Sequence, residues 1–321
     1  MKALFARLPS TVDARIRAFA IATLVAQIAI VGTGGAVRLT GSGLGCPTWP
    51  RCTEDSFVTT PEMGVHGIIE FGNRLLTFVL IAIAIVMFVL VLRIRRERRD
   101  LFVLALLIGL GIPAQGVIGG ISVLTNLDPY VVGLHFVVSV VLVVLSTMLV
   151  YRVYAGPRGA RSAVPLWYSA LAHATSGLVA ITIIVGILTT GSGPHAGDSG
   201  ASRNGLDSQL LQHVHSWPAY ATFAASVLLL LAALRLAQPR LVRFTVILVA
   251  IEIVQIAVGL AQARLGLPEI LVGTHMVLAC FLAAAMTAVV LSLRESAASH
   301  EENEARDENS ARFENLARVA D

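Results

Sequence analysis

The sequence predicts an all-α, polytopic membrane protein with eight transmembrane helices, arranged as two tandem, pseudo-symmetric four-helix bundles. Three observations support this fold class. Of the 321 residues, 56% are hydrophobic and 14% are charged, and the mean hydropathy is +0.78, which is far too apolar for an ordinary soluble domain. Eight apolar runs are long enough to cross a bilayer, which takes about 20 helical residues. Finally, part of the sequence occurs twice.

The repeat is clearest between residues 115–135, which read QGVIGGISVLTNLDPYVVGLH, and residues 255–275, which read QIAVGLAQARLGLPEILVGTH. Each copy predicts an apolar helix, a short loop and a second helix with a histidine near its start. The identical pairs share one offset: Gln115 and Gln255, Gly119 and Gly259, Leu127 and Leu267, Gly133 and Gly273, and His135 and His275. Two similar half-proteins are therefore predicted, each with a histidine at the same depth.

The eight runs divide evenly between the two halves. They cover residues 18–37, 66–92, 101–122, 130–150, 165–189, 209–234, 241–263 and 269–292. The sequence TGSG opens the loop after the first helix of each half, at 40–43 and at 190–193. We therefore predict an N-terminal segment at 1–17, a first bundle at 18–155, a second bundle at 156–293 and a disordered polar tail at 294–321.

Arginines are concentrated in the connections that follow every second helix. They are Arg93, Arg95, Arg96, Arg98 and Arg99 after helix two, Arg152, Arg158 and Arg161 after helix four, and Arg235, Arg240 and Arg243 after helix six. The positive-inside rule then places both termini in the cytoplasm. The net charge of +4 reflects these loop arginines, whose distribution is typical of an oriented membrane protein, so we expect no nucleic-acid partner. A cleaved signal peptide at the first run is disfavoured by its length.

Five histidines lie near the helix ends that face outward: His66, His135, His213, His215 and His275. Ionisable groups in a membrane are costly and are functional candidates by default. Two histidines on facing helices of a bundle suit bis-histidine haem ligation, and we assign this role to His215 and His275, with packing or proton relay as alternatives. His213 points about 200° away from His215 around the helix, which favours an interhelical or interfacial hydrogen bond.

The second helix carries polar residues on one face, in the stretch HGIIEFGNR. Spacings of four and seven place His66, Glu70 and Asn73 together. A catalytic or substrate-positioning role is predicted for Glu70, with an ion pair to Arg74 as the structural alternative. Glu252, whose repeat mate is Ile112, is either a helix–helix hydrogen-bond partner or a proton-handling group.

The three cysteines lie in two different settings. Cys46 and Cys52 lie in the first outward loop, where the compartment is oxidising and disulfides persist. Their spacing, with a proline between them, permits closure of a disulfide. Cys280 lies within the eighth helix, where a small packing residue is the simplest interpretation.

In combination, these motifs resemble the haem A synthase family. The motifs are RLTGSGLGCPTWPRC after helix one, IEFGNR on helix two, TGSGPHAGD after helix five, and GLH and GTH opening helices four and eight. The resemblance covers roughly residues 18–293. It implies an enzyme of the cell membrane that oxidises the C8 methyl of haem O to a formyl group, giving haem A for terminal oxidases.

The resemblance also implies roles for individual residues. His215 and His275 would hold a haem b in the second half, while His135 and the catalytic Glu70 would act on the substrate haem O in the first. Cys46 and Cys52 would form a disulfide. From the position of Arg74 and Arg38 near the outer layer, we further predict that they pair with haem propionates. Implied partners are the prenyltransferase that produces haem O and an electron acceptor whose nature stays open.

The sequence departs from the family at one position of helix two. The family pattern there is Glu-x-x-His-Arg, whereas this chain has Asn73 in place of the histidine. Asparagine is a poor ligand for haem iron. Two alternatives follow: His66, about 10 Å further out on the same face, replaces the missing ligand, or His135 binds the substrate iron alone. We favour the first on sequence grounds.

Two other functions share some of these features. A dihaem b-type membrane electron-transfer protein would need the same histidine layer but no acidic group beside the substrate. A transporter built from parallel repeats would place its ionisable residues near the midplane, whereas here they cluster towards one face. Haem A synthase is therefore the preferred prediction.

Overall fold

A computed structural model of the chain describes residues 7–296, and eight long helices dominate this part. They are α1 (Ala14–Leu39), α2 (Gly64–Val91), α3 (Arg99–Leu124), α4 (Pro129–Ala155), α5 (Leu166–Ser192), α6 (Ser208–Arg235), α7 (Pro239–Arg264) and α8 (Glu269–Ser292). All eight are long and apolar enough to span a membrane. They coincide with the eight predicted runs and differ from them only at the ends, so the predicted fold class is confirmed.

Aspartates fix the beginnings of three helices. The carboxylates of Asp13, Asp128 and Asp207 accept hydrogen bonds from backbone N–H groups in the first turns of α1, α4 and α6. These donors would otherwise lack partners. The caps of α4 and α6 matter for function, because His135 and His215 follow them by about two turns.

The helices pack as two groups of four. In the first bundle, α1 and α3 each contact both α2 and α4, and in the second bundle α5 and α7 each contact both α6 and α8. The bundles meet where α1 and α4 pack against α8, and where α4 packs against α5. This pairing gives each bundle the same neighbour relations, as the repeat predicts.

Each bundle is filled at one end and hollow at the other. The filled end lies beside the arginine-rich connections and holds large buried side chains, among them Met87 and Leu101 in the first bundle and Tyr168 and Met286 in the second. The other end, which we call the loop end, carries the long connections at residues 40–63 and 193–207. Within residues 7–296, packing therefore leaves space for a large ligand towards the loop end.

A small antiparallel sheet lies outside the bundles. Strand β1 (Arg158–Ser162) follows α4, and strand β2 (Arg294–Ser296) follows α8, with Arg158 opposite Ser296 and Ser162 opposite Arg294. The predicted disordered tail therefore begins with three ordered residues. The rest of that tail, residues 297–321, and positions 1–6 of the predicted N-terminal segment lie outside the described residues.

Candidate functional site: one cavity shared by both bundles

One large cavity occupies the loop end of the molecule, with a volume of about 1000 Å³. This is the upper end of the usual range for ligand pockets, about 300–1,000 Å³. Helices of both bundles line it. The structure brings five of the predicted site residues into its wall together: Glu70, Arg74, His135, His215 and His275.

His215 of α6 and His275 of α8 face each other inside this cavity. Their ring centroids are 6.2 Å apart and their planes are inclined at 78°. Two imidazoles that bind opposite sides of one metal ion at about 2 Å have centroids roughly 6.3 Å apart. The pair therefore has the separation that axial ligation of a haem iron needs.

Glycines allow the helices to approach these two rings closely. A Cβ at Gly186 of α5 would come within 2.9 Å of Cε1 of His215, and one at Gly259 of α7 would come within 3.2 Å of Cε1 of His275. A larger residue at either position would displace the imidazole. The helix packing is thus adapted to hold both rings in place.

The Nδ1 atoms of both histidines are buried without a hydrogen-bond partner. The backbone of Thr182 lies near the His215 ring, and the backbone of Gln255 lies near the His275 ring. Metal-bound histidines usually donate their second N–H to a backbone carbonyl or a carboxylate. Within residues 7–296, no cluster of three or more His, Cys, Asp or Glu side chains could hold a metal ion. The two-histidine arrangement fits a haem.

His135 occupies the equivalent position in the first bundle. A Cβ at Gly119 would lie 3.2 Å from its Cε1, the same value as for the pair Gly259 and His275. Gln115 Nε2 donates to the His135 carbonyl at 3.0 Å, and Gln255 Nε2 donates to the His275 carbonyl at 3.1 Å. The repeat therefore conserves the support of the histidine between the two halves.

In the first bundle, Asn73 occupies the position that corresponds to His215 in the repeat, and it also lines the cavity. Its Oδ1 accepts a hydrogen bond from Thr33 Oγ1 at 2.8 Å. The amide is thus held by α1.

The structure does not bring His66 together with His135. His66 is exposed, its Nδ1 lies 2.8 Å from Ser42 Oγ, and it lines a separate, smaller pocket beside Asp198. Gly45 packs against the His66 backbone, so the first loop covers this turn of α2. The predicted replacement of the missing ligand by His66 is therefore not supported by its placement.

Glu70 is buried at 5% exposure and anchors the first loop. Its Oε2 accepts a hydrogen bond from the Cys46 N–H at 2.6 Å, and its Oε1 lies 2.5 Å from Arg74 Nη2. Both predicted features of this residue are thus present: it lies in the cavity wall, and it forms an ion pair one turn along the helix.

Arg74 uses each nitrogen of its guanidinium within the protein. Besides Glu70, it donates to the carbonyls of Cys46, Thr48 and Arg51, each at 3.1 Å. The predicted pairing with a haem propionate would have to compete with these bonds. In this geometry, Arg74 holds the first loop.

The loop that Arg74 holds covers the first-bundle end of the cavity. The sulfur atoms of Cys46 and Cys52 lie at bonding distance, 1.98 Å, and both residues are buried. Between them, the Trp49 ring packs directly on Gly120 of α3 and lines the cavity. Sequence reasoning missed Trp49, whose only signal is an aromatic residue in a loop rich in glycine and proline.

The second loop is held in a different way. Arg38, at the end of α1, donates to the carbonyls of His195 at 2.7 Å and Thr190 at 3.1 Å. His195 Nε2 in turn donates to the Leu267 carbonyl at 2.9 Å. Arg38, the other predicted propionate partner, thus lines the cavity and links the two bundles.

Comparison with known proteins agrees with this geometry. The profile of the COX15-CtaA family, described as "Cytochrome oxidase assembly protein", matches residues 17–271. Proteins named "Heme A synthase" are similar over 42–43% of this chain: one from Lysinibacillus sphaericus at 33% identity, one from Halalkalibacterium halodurans at 30% and one from Listeria welshimeri at 26%. The matched segments span 45%, 47% and 46% of these relatives, slightly less than half of their length.

Proposed function

Because the chain belongs to the COX15-CtaA family of cytochrome oxidase assembly proteins, we propose that it is a haem A synthase, which oxidises the C8 methyl of haem O to a formyl group. The chain is a multi-pass membrane protein of bacterial type. The observation that carries the proposal is the facing pair His215 and His275 in the same cavity as His135 and Glu70. We also propose that both termini are cytoplasmic, from the arginine distribution.

In this proposal the second bundle holds a resident haem b between His215 and His275. When bound, this group supplies one-electron redox chemistry. The chain contributes two fixed imidazoles, supported by Gly186 and Gly259 and by the capped start of α6. This support keeps the ligands in place while charge changes beside them.

In the first bundle, His135 binds the iron of haem O and Asn73 leaves the opposite side without a strong ligand. This is the second of the two sequence-based alternatives, and the separate position of His66 favours it. One-sided ligation suits a substrate, because haem A has to leave after each reaction.

Glu70 is the acidic group at this end of the cavity, and we propose that it accepts a proton released at the reacting methyl. Oε2 keeps a lone pair beyond the bond from Cys46, whereas Oε1 accepts from both Nε and Nη2 of Arg74. Trp49 and the loop from Cys46 to Cys52 exclude bulk water there. Arg74 acts on the substrate through the loop that it positions.

Haem O is insoluble in water, so its transfer from the prenyltransferase that produces it would proceed best within the membrane. We propose this enzyme as a partner, and a membrane electron acceptor as the sink for the electrons removed from the methyl group.

Extraction and chromatography of the haems from purified protein test the assignment of the two bundles. We expect haem B together with haem O or haem A in the wild type. His275→Ala should lose haem B selectively, and His135→Ala should lose haem O and haem A selectively. His213→Ala is the matched control, because His213 is exposed and does not line the cavity, and it should retain both haems.

Other results would contradict the proposal. Two haem B groups per chain, with no conversion of haem O, would indicate an electron-transfer protein. Equal loss of both haems in His275→Ala and His135→Ala would contradict the division into a cofactor half and a substrate half.

A further inference from the structure

A row of buried polar side chains lies beneath the proposed haem b site, on the side away from the loop end. Thr222 and Ser226 follow His215 on the same face of α6, about two and three turns further along. Glu252 projects from the adjacent α7, and Thr182 from α5. All four are at least 92% buried. We call this set, Thr182, Thr222, Ser226 and Glu252, the polar floor.

The floor residues of α6 and α7 have apolar counterparts in the first bundle. The repeat aligns His215 with Asn73 and Gln255 with Gln115, so Thr222, Ser226 and Glu252 correspond to Leu80, Ala84 and Ile112. These three residues are buried in the apolar core of the first bundle. A scaffold that packs well with apolar residues at these positions does not need polar ones for folding, which indicates a function specific to the second bundle.

Glu252 is the ionisable member of the floor, and only one of its oxygens is satisfied. Ser226 Oγ donates to Oε1 at 2.8 Å, whereas Oε2 is buried without a partner. Glu252 and Thr182 and Thr222 all line the large cavity, and the two threonine hydroxyls lie 3.2 Å apart. Water or a proton can therefore reach the carboxyl group through the cavity.

The surroundings of Glu252 contain no compensating cation within residues 7–296, since none of the ion pairs there involves it. The helices packed against α7 are α6 and α8. Their titratable groups that line the cavity or are buried are His215 and Tyr220 on α6, and His275 and Cys280 on α8. The arginines of α7 itself, Arg240, Arg243 and Arg264, are exposed near its ends. If a haem is held between His215 and His275, its iron is thus the group near Glu252 whose charge changes.

We propose that Glu252 is a redox-linked proton site, which binds a proton when the second-bundle haem is reduced and releases it when that haem is oxidised. The inference rests on the proposed haem b site. An oxidised haem carries one more positive charge than a reduced one, so it stabilises the carboxylate, whereas the neutral acid is favoured in this apolar setting after reduction.

The step balances with one proton for each electron. Glu252 would take up one proton through the cavity for each electron that a haem b held by His215 and His275 gains. It would release that proton when the electron passes to the membrane acceptor. Ser226 is a positioning residue in this scheme, because it fixes one oxygen of the carboxyl group.

Spectroelectrochemical titration of haem b tests this inference in protein from cells that lack haem O. We expect the wild-type midpoint potential to fall as pH rises, approaching one proton per electron, and Glu252→Gln to remove this dependence. Glu269→Gln is the matched control, because it removes the same charge from an exposed position at the start of α8, outside the cavity lining. It should keep the wild-type slope.

A reduced-minus-oxidised infrared difference spectrum provides a second readout. The wild type should show the carbonyl band of a protonated carboxyl group, Ser226→Ala should shift that band, and Glu252→Gln should abolish it. If Glu252→Gln does not fold, the wild type and Ser226→Ala still decide the question. A pH-independent wild-type potential, or an unshifted band in Ser226→Ala, would overturn the inference. Failure of the proposed haem b site would instead appear as the absence of haem B from the wild type.

Discussion

The two bundles share their helix packing and their glutamine-supported histidine, yet they differ at the position opposite that histidine. The second bundle has His215 facing His275 at 6.2 Å between ring centroids, whereas the first has Asn73 in the repeat position. In the proposed function, a resident cofactor is held from both sides and an exchangeable substrate from one. In that proposal, a single ligand position separates retention of the cofactor from turnover of the substrate.

The loops differ in a parallel way. The first is closed by Cys46 and Cys52 and is bound to Glu70 and Arg74 of its own bundle. The second contains no cysteine and is held by Arg38, which reaches across from α1. The half that would exchange its ligand thus anchors its cover through side chains of its own bundle, and the two covers are joined by one backbone hydrogen bond, from the Gly43 N–H to the Gly197 carbonyl at 2.8 Å.

The largest expected effect follows from making the two halves alike. Asn73→His places an imidazole opposite His135, so the substrate iron should become six-coordinate and be retained. Because the family pattern has histidine at this position, conversion of haem O should continue, whereas we expect affinity for the substrate haem to rise by on the order of 100-fold, about 2.7 kcal/mol. Absorption spectra and haem chromatography would measure both changes. Asn73→Leu, which removes only the bond from Thr33, is the control; the same spectral change in Asn73→Leu would refute the ligation argument.

A smaller effect is expected when a ligand of the second half is displaced. Gly186→Ala brings a methyl group against the His215 ring, and we expect haem b affinity to fall by roughly 10-fold to 100-fold, as for other changes around metal ligands. Gly177→Ala, in the same helix with open space around the new Cβ, should bind haem b normally. Titration of the purified apoprotein with haem would compare the two. Equal affinities would show that the ring does not need this space.

The cover of the first half can be tested in the same manner. Gly120→Ala overlaps the Trp49 ring, whereas Gly109→Ala, three turns earlier in α3 and outside the cavity lining, meets no neighbour. We expect Gly120→Ala to expose the loop to protease and to lower haem O conversion by about tenfold, about 1.4 kcal/mol. Gly109→Ala should leave both unchanged. If the loop of Gly120→Ala stayed protected from protease, packing of Trp49 on Gly120 would not be what holds the loop in place.

The smallest effect is expected from the disulfide. The double variant Cys46→Ser, Cys52→Ser leaves the bonds from Arg74 to three loop carbonyls in place, each worth about 1 kcal/mol. Haem O conversion should therefore change by less than about twofold, whereas Arg74→Gln should lower it several-fold more. Conversion assays under identical haem loading would rank the two. If the double cysteine variant lost more activity than Arg74→Gln, the disulfide rather than Arg74 would be the main support of the first loop.

The sequence predicts the helices and the histidine layer well, because transmembrane length and repeated motifs are strong local signals. It also places Glu70 in the cavity wall. It fails at His66: helical spacing puts His66 and Glu70 on one face, but the chain at Gly45 folds back over α2 and divides that face. Trp49 and strand β2 were missed for a related reason. Their positions depend on contacts distant in sequence, such as Trp49 with Gly120 and Arg294 with Ser162.

The short sheet between β1 and β2 has a consequence for biosynthesis. Strand β1 emerges from the ribosome before α5, whereas β2 emerges after α8. The two strands can therefore pair only when every helix of the second bundle has been made. The first bundle, whose four helices are complete by Ala155, can assemble earlier in the membrane. Closure of the sheet would thus mark the end of assembly, and a chain truncated before Arg294 would lack this fastening while keeping all eight helices.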